Sequence, residues 1–169
     1  GLEISNFYVK KDKTHDALGL INTLSDNARD AMNELRETIW LLNKNNILMG
    51  DFDRHLKKYI EKRESSLGDL QVTIDNQVDE NLELSTQQSL HILRIIQEAL
   101  ANCLKYAKAE QFDIQISQQG GQLQVFLCDD GLGLNGHSSS HTNNEYAGNG
   151  LKNMKRRAED LNGTLKTGD

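Results

Sequence analysis

The run Ser85-Thr86-Gln87-Gln88-Ser89-Leu90-His91-Ile92-Leu93-Arg94-Ile95-Ile96-Gln97-Glu98-Ala99-Leu100-Ala101-Asn102-Cys103-Leu104-Lys105-Tyr106-Ala107 decides the fold. Serine followed three residues later by glutamine is a capping-box start, so a helix is expected from Ser85 to about Ala107. Leu90, Leu93, Ile96, Leu100, Cys103, Leu104 and Ala107 form its apolar side. His91, Arg94, Glu98, Asn102 and Lys105 form one polar stripe at spacings of three and four, with Glu98 and Asn102 a turn apart. A solvated helix face is the ordinary reading of such a stripe. Yet asparagine is a poor helix former, and its amide oxygen suits Mg²⁺, a hard ion that is usually shared with nucleotide phosphates.

Two later segments matter beside this helix. Asp129-Asp130-Gly131-Leu132-Gly133 follows an apolar strand directly. A carboxylate at a strand end can accept from the exocyclic amine of adenine, and the glycines admit a ligand close to the backbone; an ordinary Asp-Gly turn is the alternative. Gly148-Asn149-Gly150-Leu151 opens a further helix, whose free N–H groups and dipole favour phosphate. Each segment is weak alone. Together, and with no GxxxxGK[ST] loop in the chain, they outline a nucleotide site of another kind.

Working outward, Asp51 to Lys62 reads as a helix, Leu70 to Ile74 as a strand and Asp75 to Asn81 as an acidic turn region. Phe112, Ile114 and Ile116 alternate, as do Leu123, Val125 and Leu127, and Gln119-Gly120-Gly121 between them marks a hairpin turn. A helix from about Asn149 to Leu161 and a strand beginning at Gly163 to Thr167 complete the order α/β/α/β/β/α/β. That order predicts an α+β sandwich: a mixed, mostly antiparallel sheet with helices on one face. Asn43 to Gly50 reads as a linker. Before it, about His15 to Asn43 is one long amphipathic helix, with Ile21, Leu24, Ala28, Ala31, Leu35, Thr38 and Leu42 as a heptad seam. Met32, Ile39 and Trp40 widen that seam, which suits a helical bundle.

Composition limits the choices. The 169 residues, 37% apolar and 26% charged with a net charge of −6, are enough for one domain and an extra element and give no basic face for nucleic acid. No apolar run approaches the eighteen or so residues needed to cross a bilayer, so no membrane contact is expected within this chain. Cys103 and Cys128 lie in apolar runs and read as small buried hydrophobes of a reducing, cytoplasmic setting. His137 and His141, four apart, lack the cysteine or carboxylate framework of a metal site.

The helix stripe resembles the N box, Asp129-Asp130-Gly131-Leu132-Gly133 the G1 box, and Gly148-Asn149-Gly150-Leu151-Lys152-Asn153-Met154 the G2 box of the ATP-binding domain of sensor histidine kinases. That domain shares the Bergerat-type fold of the gyrase, Hsp90 and MutL ATPases. Glu98 to Ala107 and Gly150 to Ala158 look like the subfamily of nitrate- and lipid-fluidity-sensing kinases, in which Tyr106 is more usually histidine. Ala28 to Trp40 resembles the second helix of the dimerisation and phosphotransfer domain. The resemblance implies residues 1–46 as a partial helical hairpin and 47–169 as the ATP-binding domain without its last strand. It implies ATP and Mg²⁺ as cofactors, with Asn102 ligating Mg²⁺ and Glu98 and Asn102 as the catalytic pair. The ATP-binding set it implies is Asn102, Lys105, Tyr106, Asp129, Gly131, Gly133, Leu134, Gly148, Gly150 and Leu151. A homodimer through the bundle and a response-regulator receiver domain are the partners it implies.

His15-Asp16-Ala17-Leu18-Gly19 resembles the phosphoacceptor box of the same family. About twenty residues separate His15 from Arg36, and at about 1.5 Å per residue they cannot form two helical arms and a turn. His15 is therefore expected in the interhelical loop, with the acceptor upstream and this chain unable to phosphorylate itself at the usual site. Two other readings are a same-fold serine kinase of the anti-sigma type, whose members lack a bundle helix, and a coiled-coil interaction protein with a degenerate pocket.

Overall fold

The computed structural model describes residues 46–133 and 149–168, together with helical positions scattered between 19 and 39. The chain divides into two compact units, Gly1–Asn43 and Lys44–Asp169. In the first, the described seam positions Ile21, Leu24, Ala28, Leu35 and Thr38 are helical, as are Met32 and Ile39. Among the described residues of this stripe, Ile21, Met32, Leu35 and Ile39 are exposed.

The second unit runs β1 (Asn46–Leu48), α1 (Met49–Glu61), α2 (Glu64–Leu67), β2 (Gln71–Asn76), β3 (Glu83–Ser85), α3 (Thr86–Asn102), a π-helical turn (Cys103–Ala107), β4 (Gln111–Gln119), β5 (Gln122–Asp129) and α4 (Asn149–Glu159). The capping box forms as expected: Ser85 Oγ accepts from Gln88 N–H at 3.1 Å, and Gln88 Oε1 accepts from Ser85 N–H at 2.8 Å. A three-stranded sheet has the order β2-β4-β5, with β4 parallel to β2 and antiparallel to β5; β1 and β3 form a separate antiparallel pair. The parallel pairing requires a long crossover, and α3 lies within it. This crossover returns the C-terminal end of α3 to the start of β4.

Alternation along β4 buries Phe112, Ile114 and Ile116 and turns Gln111 and Gln115 to solvent. The register places Ile114 beside Ile74 and Leu127 on this buried face. Phe52 and Leu56 of α1 and Leu93, Ile96 and Leu100 of α3 complete the core, so the helices cover one face of the sheet. The hairpin turn falls at Gly120 and Gly121, with φ of 59° and 79°.

Four local expectations need correction. Asn43–Gly50 is not a linker throughout, because Asn46–Leu48 pairs with β3, α1 begins at Met49, and Ile47 and Met49 are completely buried. Cys128 is exposed, since it falls in the outward phase of β5 with Phe126, whereas Cys103 is buried. Burial, then the Asp129 and Asp130 charges, push the Cys103 thiol up to about 11. Leu104 is exposed because the wider π turn takes it out of the α-helical phase that would have stacked it on Leu100. Finally, residues 163–168 join no ladder among the described residues. Asn162 turns left-handed at φ 56° and Gly163 N–H reaches back to Ala158 O at 2.9 Å, which uses this segment to end α4.

Replacing Ile47 by alanine separates a linker from a core strand. The expected loss is about 2–5 kcal/mol of stability by urea unfolding, against less than about 0.5 kcal/mol for a solvated linker residue.

Candidate functional site

The three glycine- and amide-bearing segments meet along the last turns of α3. Gly131 lies so close to the π turn that a Cβ there would overlap the Ala107 carbonyl oxygen. It would also stand 2.7 Å from the Ala107 methyl carbon and 2.8 Å from Asp129 Oδ1. Leu132 N–H donates to that same carbonyl at 2.9 Å. A side chain at position 131 would push the strand-end turn away from the helix, so this junction requires glycine.

Gly150, at the start of α4, makes the second close approach. A Cβ on it would overlap Glu98 Oε1 and stand 3.4 Å from the Asn102 amide nitrogen. Both polar side chains therefore reach the first turn of α4, where N–H groups have no partner within the helix. Asn102 and Ala107 bracket the π turn, so the two approaches are separated by that single turn. Turns of this type inside helices occur frequently at functional sites.

Neighbouring carboxylates at the strand end have different tasks. Asp130 Oδ1 accepts from the Glu110 and Gln111 N–H groups, each at 2.9 Å, and these bonds hold its carboxyl below the usual carboxylate range. Asp130 thus ties the turn to β4. Asp129 is exposed, and its Oδ1 accepts from Gly131 N–H at 3.0 Å, which orients the carboxylate within the turn. Of the pair, Asp129 is the one left to face a ligand.

His91, Arg94, Glu98 and Asn102 are half-buried and not a solvated face, because α4 packs antiparallel against this stripe of α3. Lys105, Tyr106, Leu132 and Leu151 are exposed around the junction, and Gly133 takes φ 70°. Leu134 and Gly148 lie outside the described residues, as do His15, His137 and His141. A separate polar cleft of about 530 Å³, lined by Asp53, Arg54, Lys57, Asp75, Asn76 and Glu80 among others, sits at the other end of the sheet and shares none of these groups. The sequence reading did not foresee the π turn, the Ala107 carbonyl or the role of Asp130. The one sequence signal for a structural carboxylate there is the pairing of Asp129 with Asp130.

A helix carrying Glu98 and Asn102, a glycine-clamped strand end with Asp129, and a helix start at Gly150 thus lie close together. Residues 87–169 match the family described as histidine kinase-, DNA gyrase B- and HSP90-like ATPase, and ATP binding goes with that family. The relatives of the chain are sensor histidine kinases. It is 27% identical over 150 residues to the nitrate/nitrite sensor protein NarQ of Escherichia coli, a match covering 88% of this chain and 25% of that protein. It is 28% identical over 159 residues to the sensor histidine kinase YxjM of Bacillus subtilis, covering 94% and 36%. The Acinetobacter baumannii histidine kinase AdeS has the same fold, with a TM-score of 0.61 at 17% identity, covering 98% of this chain and 85% of that one. The chain thus spans well under two thirds of the curated relatives NarQ and YxjM.

Asp130 makes an acid-side test possible. A carboxyl with a lowered folded pKa adds stability that is complete above about pH 4 and lost as pH falls through the folded value. Asp130→Asn is expected to give a shallower fall of the thermal midpoint between about pH 4 and pH 2 than the unaltered chain.

Proposed function

We propose that the chain is the ATP-binding catalytic region of a sensor histidine kinase, which moves the γ-phosphoryl group of ATP to a histidine for relay to a response-regulator aspartate. The convergence of Glu98, Asn102 and Gly150 supports this most directly, because it puts an amide and a carboxylate at a helix start suited to phosphates. Asp129 accepts from the adenine amine, and Gly131 and Gly133 let the base approach the backbone. Gly148, Gly150, Leu134 and Leu151 shape the mouth of the site, while Lys105 and Tyr106 flank the nucleotide.

Phosphoryl transfer asks the protein mainly for positioning and charge neutralisation. The half-buried Asn102 amide, next to the cradle at Gly150, fits Mg²⁺, and it is the residue that would hold the ion. Bound Mg²⁺ supplies neutralisation of phosphate charge. Glu98 orients the attacking group or a water at the same place. The first unit acts as the second helix of a dimerising hairpin, a reading supported by its exposed apolar stripe. Residues 47–169 then serve as the catalytic domain, and the working location is cytoplasmic.

Calorimetric titration with ATP in Mg²⁺ tests the site. Asn102→Ala and Asp129→Ala are each expected to weaken binding by about a hundredfold or more, equivalent to roughly 2.7 kcal/mol. Binding equal to the unaltered chain in both variants would remove the assignment. Incubation with γ-labelled ATP is expected to leave His15 unlabelled, and phosphate on His15 would overturn its place in a loop.

A further inference from the structure

The carboxylate proposed to read the base stands at a strand end. The β4–β5 ladder closes at the pair Phe112–Asp129, so Asp129 is its last paired residue, and it is exposed. A hydrogen bond weakens steeply as its angle departs from linear, so a carboxylate on a fraying end would read an exocyclic amine poorly. Its direction has to be fixed by the residues beside it.

The turn is held at successive residues. Gly131 N–H donates to Asp129 Oδ1 at 3.0 Å, which leaves Oδ2 for an outside donor. Leu132 N–H donates to the Ala107 carbonyl at 2.9 Å, with Gly131 pressed against the same group. Between these two contacts, Asp130 reaches back to the head of β4. Its Oδ1 accepts from the Glu110 and Gln111 N–H groups, each at 2.9 Å, and its own N–H donates to Gln111 O at 3.3 Å. In effect the Asp130 side chain adds one rung beyond the last backbone pair. The head of β4 is secured in turn to β2: Gln71 N–H donates to Glu110 O at 2.8 Å. Thr73 Oγ1 and Gln111 Nε2 both donate to Asp113 Oδ1, at 2.6 and 2.9 Å. Through Asp130 the turn is therefore tied to all three strands of the sheet.

We propose that Asp130 is a positioning residue that sets the base preference of the site: by adding this rung it aims Asp129 Oδ2 at the exocyclic amine of a 6-aminopurine. This rests on the nucleotide reading given above. The effect is confined to the base, because the groups proposed for the phosphates, Asn102 and the start of α4, are carried by helices and not by this turn. A bond to a charged acceptor is stronger and more directional than a neutral one, so a small tilt of Asp129 costs the amine contact first.

The test crosses residue 130 with the amine of the ligand, by calorimetry on the whole 169-residue chain in Mg²⁺. The probes are ATP and purine riboside triphosphate, which lacks the 6-amino group. The unaltered chain is expected to prefer ATP by about tenfold or more. Asp130→Ala should weaken ATP about tenfold and the amine-free analogue by less than about twofold, so that the preference largely disappears. Asp130→Asn keeps an acceptor oxygen for the two N–H groups and should stay within about threefold of the unaltered chain for ATP. Should the alanine variant melt at the assay temperature, Asp130→Ser, whose hydroxyl is too short to reach both groups, carries the same comparison. Equal losses for both triphosphates, no loss for ATP, or an asparagine variant as weak as alanine would each overturn the inference while leaving ATP binding intact. Equal affinity of the unaltered chain for the two probes would remove the amine contact and this inference with it. Failure of that chain to bind ATP at all would overturn the nucleotide reading itself.

Discussion

The contact between Gly131 and the Ala107 carbonyl governs the arrangement of the second unit. It joins the end of a helix to the end of a strand where no side chain fits, and the Leu132 N–H closes it with a hydrogen bond. A backbone carbonyl at a helix C-terminus needs a donor, and here a neighbouring turn provides one. Asp130 anchors the same turn to β4 from the other side. With the turn held twice, Asp129 projects from a rigid base, as its proposed role in recognition requires.

Helix α3 is organised as a spine with two uses. Its apolar side seals the sheet through Leu93, Ile96 and Leu100, and its polar side meets α4. Polar groups in such a seam lose water and must find compensation within the protein.

In the proposed function, phosphate is held differently from a single glycine-rich loop around a lysine. The contributing groups come from three separated segments: the crossover from β2 to β4 brings the end of α3 to the strand end, and packing of α4 on α3 adds the third. Their chemistry is divided: an amide and a carboxylate on one helix, a carboxylate at a strand end, and N–H groups at another helix start. Residues 87–169 match an ATPase family, and the relatives NarQ and YxjM carry sensor names, in keeping with the signalling role proposed for this chain.

The capping box, the alternation in β4 and β5, the Gly120-Gly121 turn and the polar stripe of α3 were all legible from residue order, because each arises from periods of two to four residues. Glu98, Asn102, Asp129, Gly131 and Gly150 were legible as a candidate set, through the types of residue and their order. Distance along the chain hid the rest. Asn46–Leu48 looked like a polar connection because its partner, β3, lies some forty residues on. The outward phase of Cys128, the exposure of Leu104 beyond the π turn and the use of Asn162-Gly163 as a helix stop depend on neighbours that local periodicity does not encode. Sequence alone determined which groups were available and which faces they shared. Tertiary structure decided which of them meet, since close approach at Gly131 and Gly150 is set by packing between segments and not by order within any one of them.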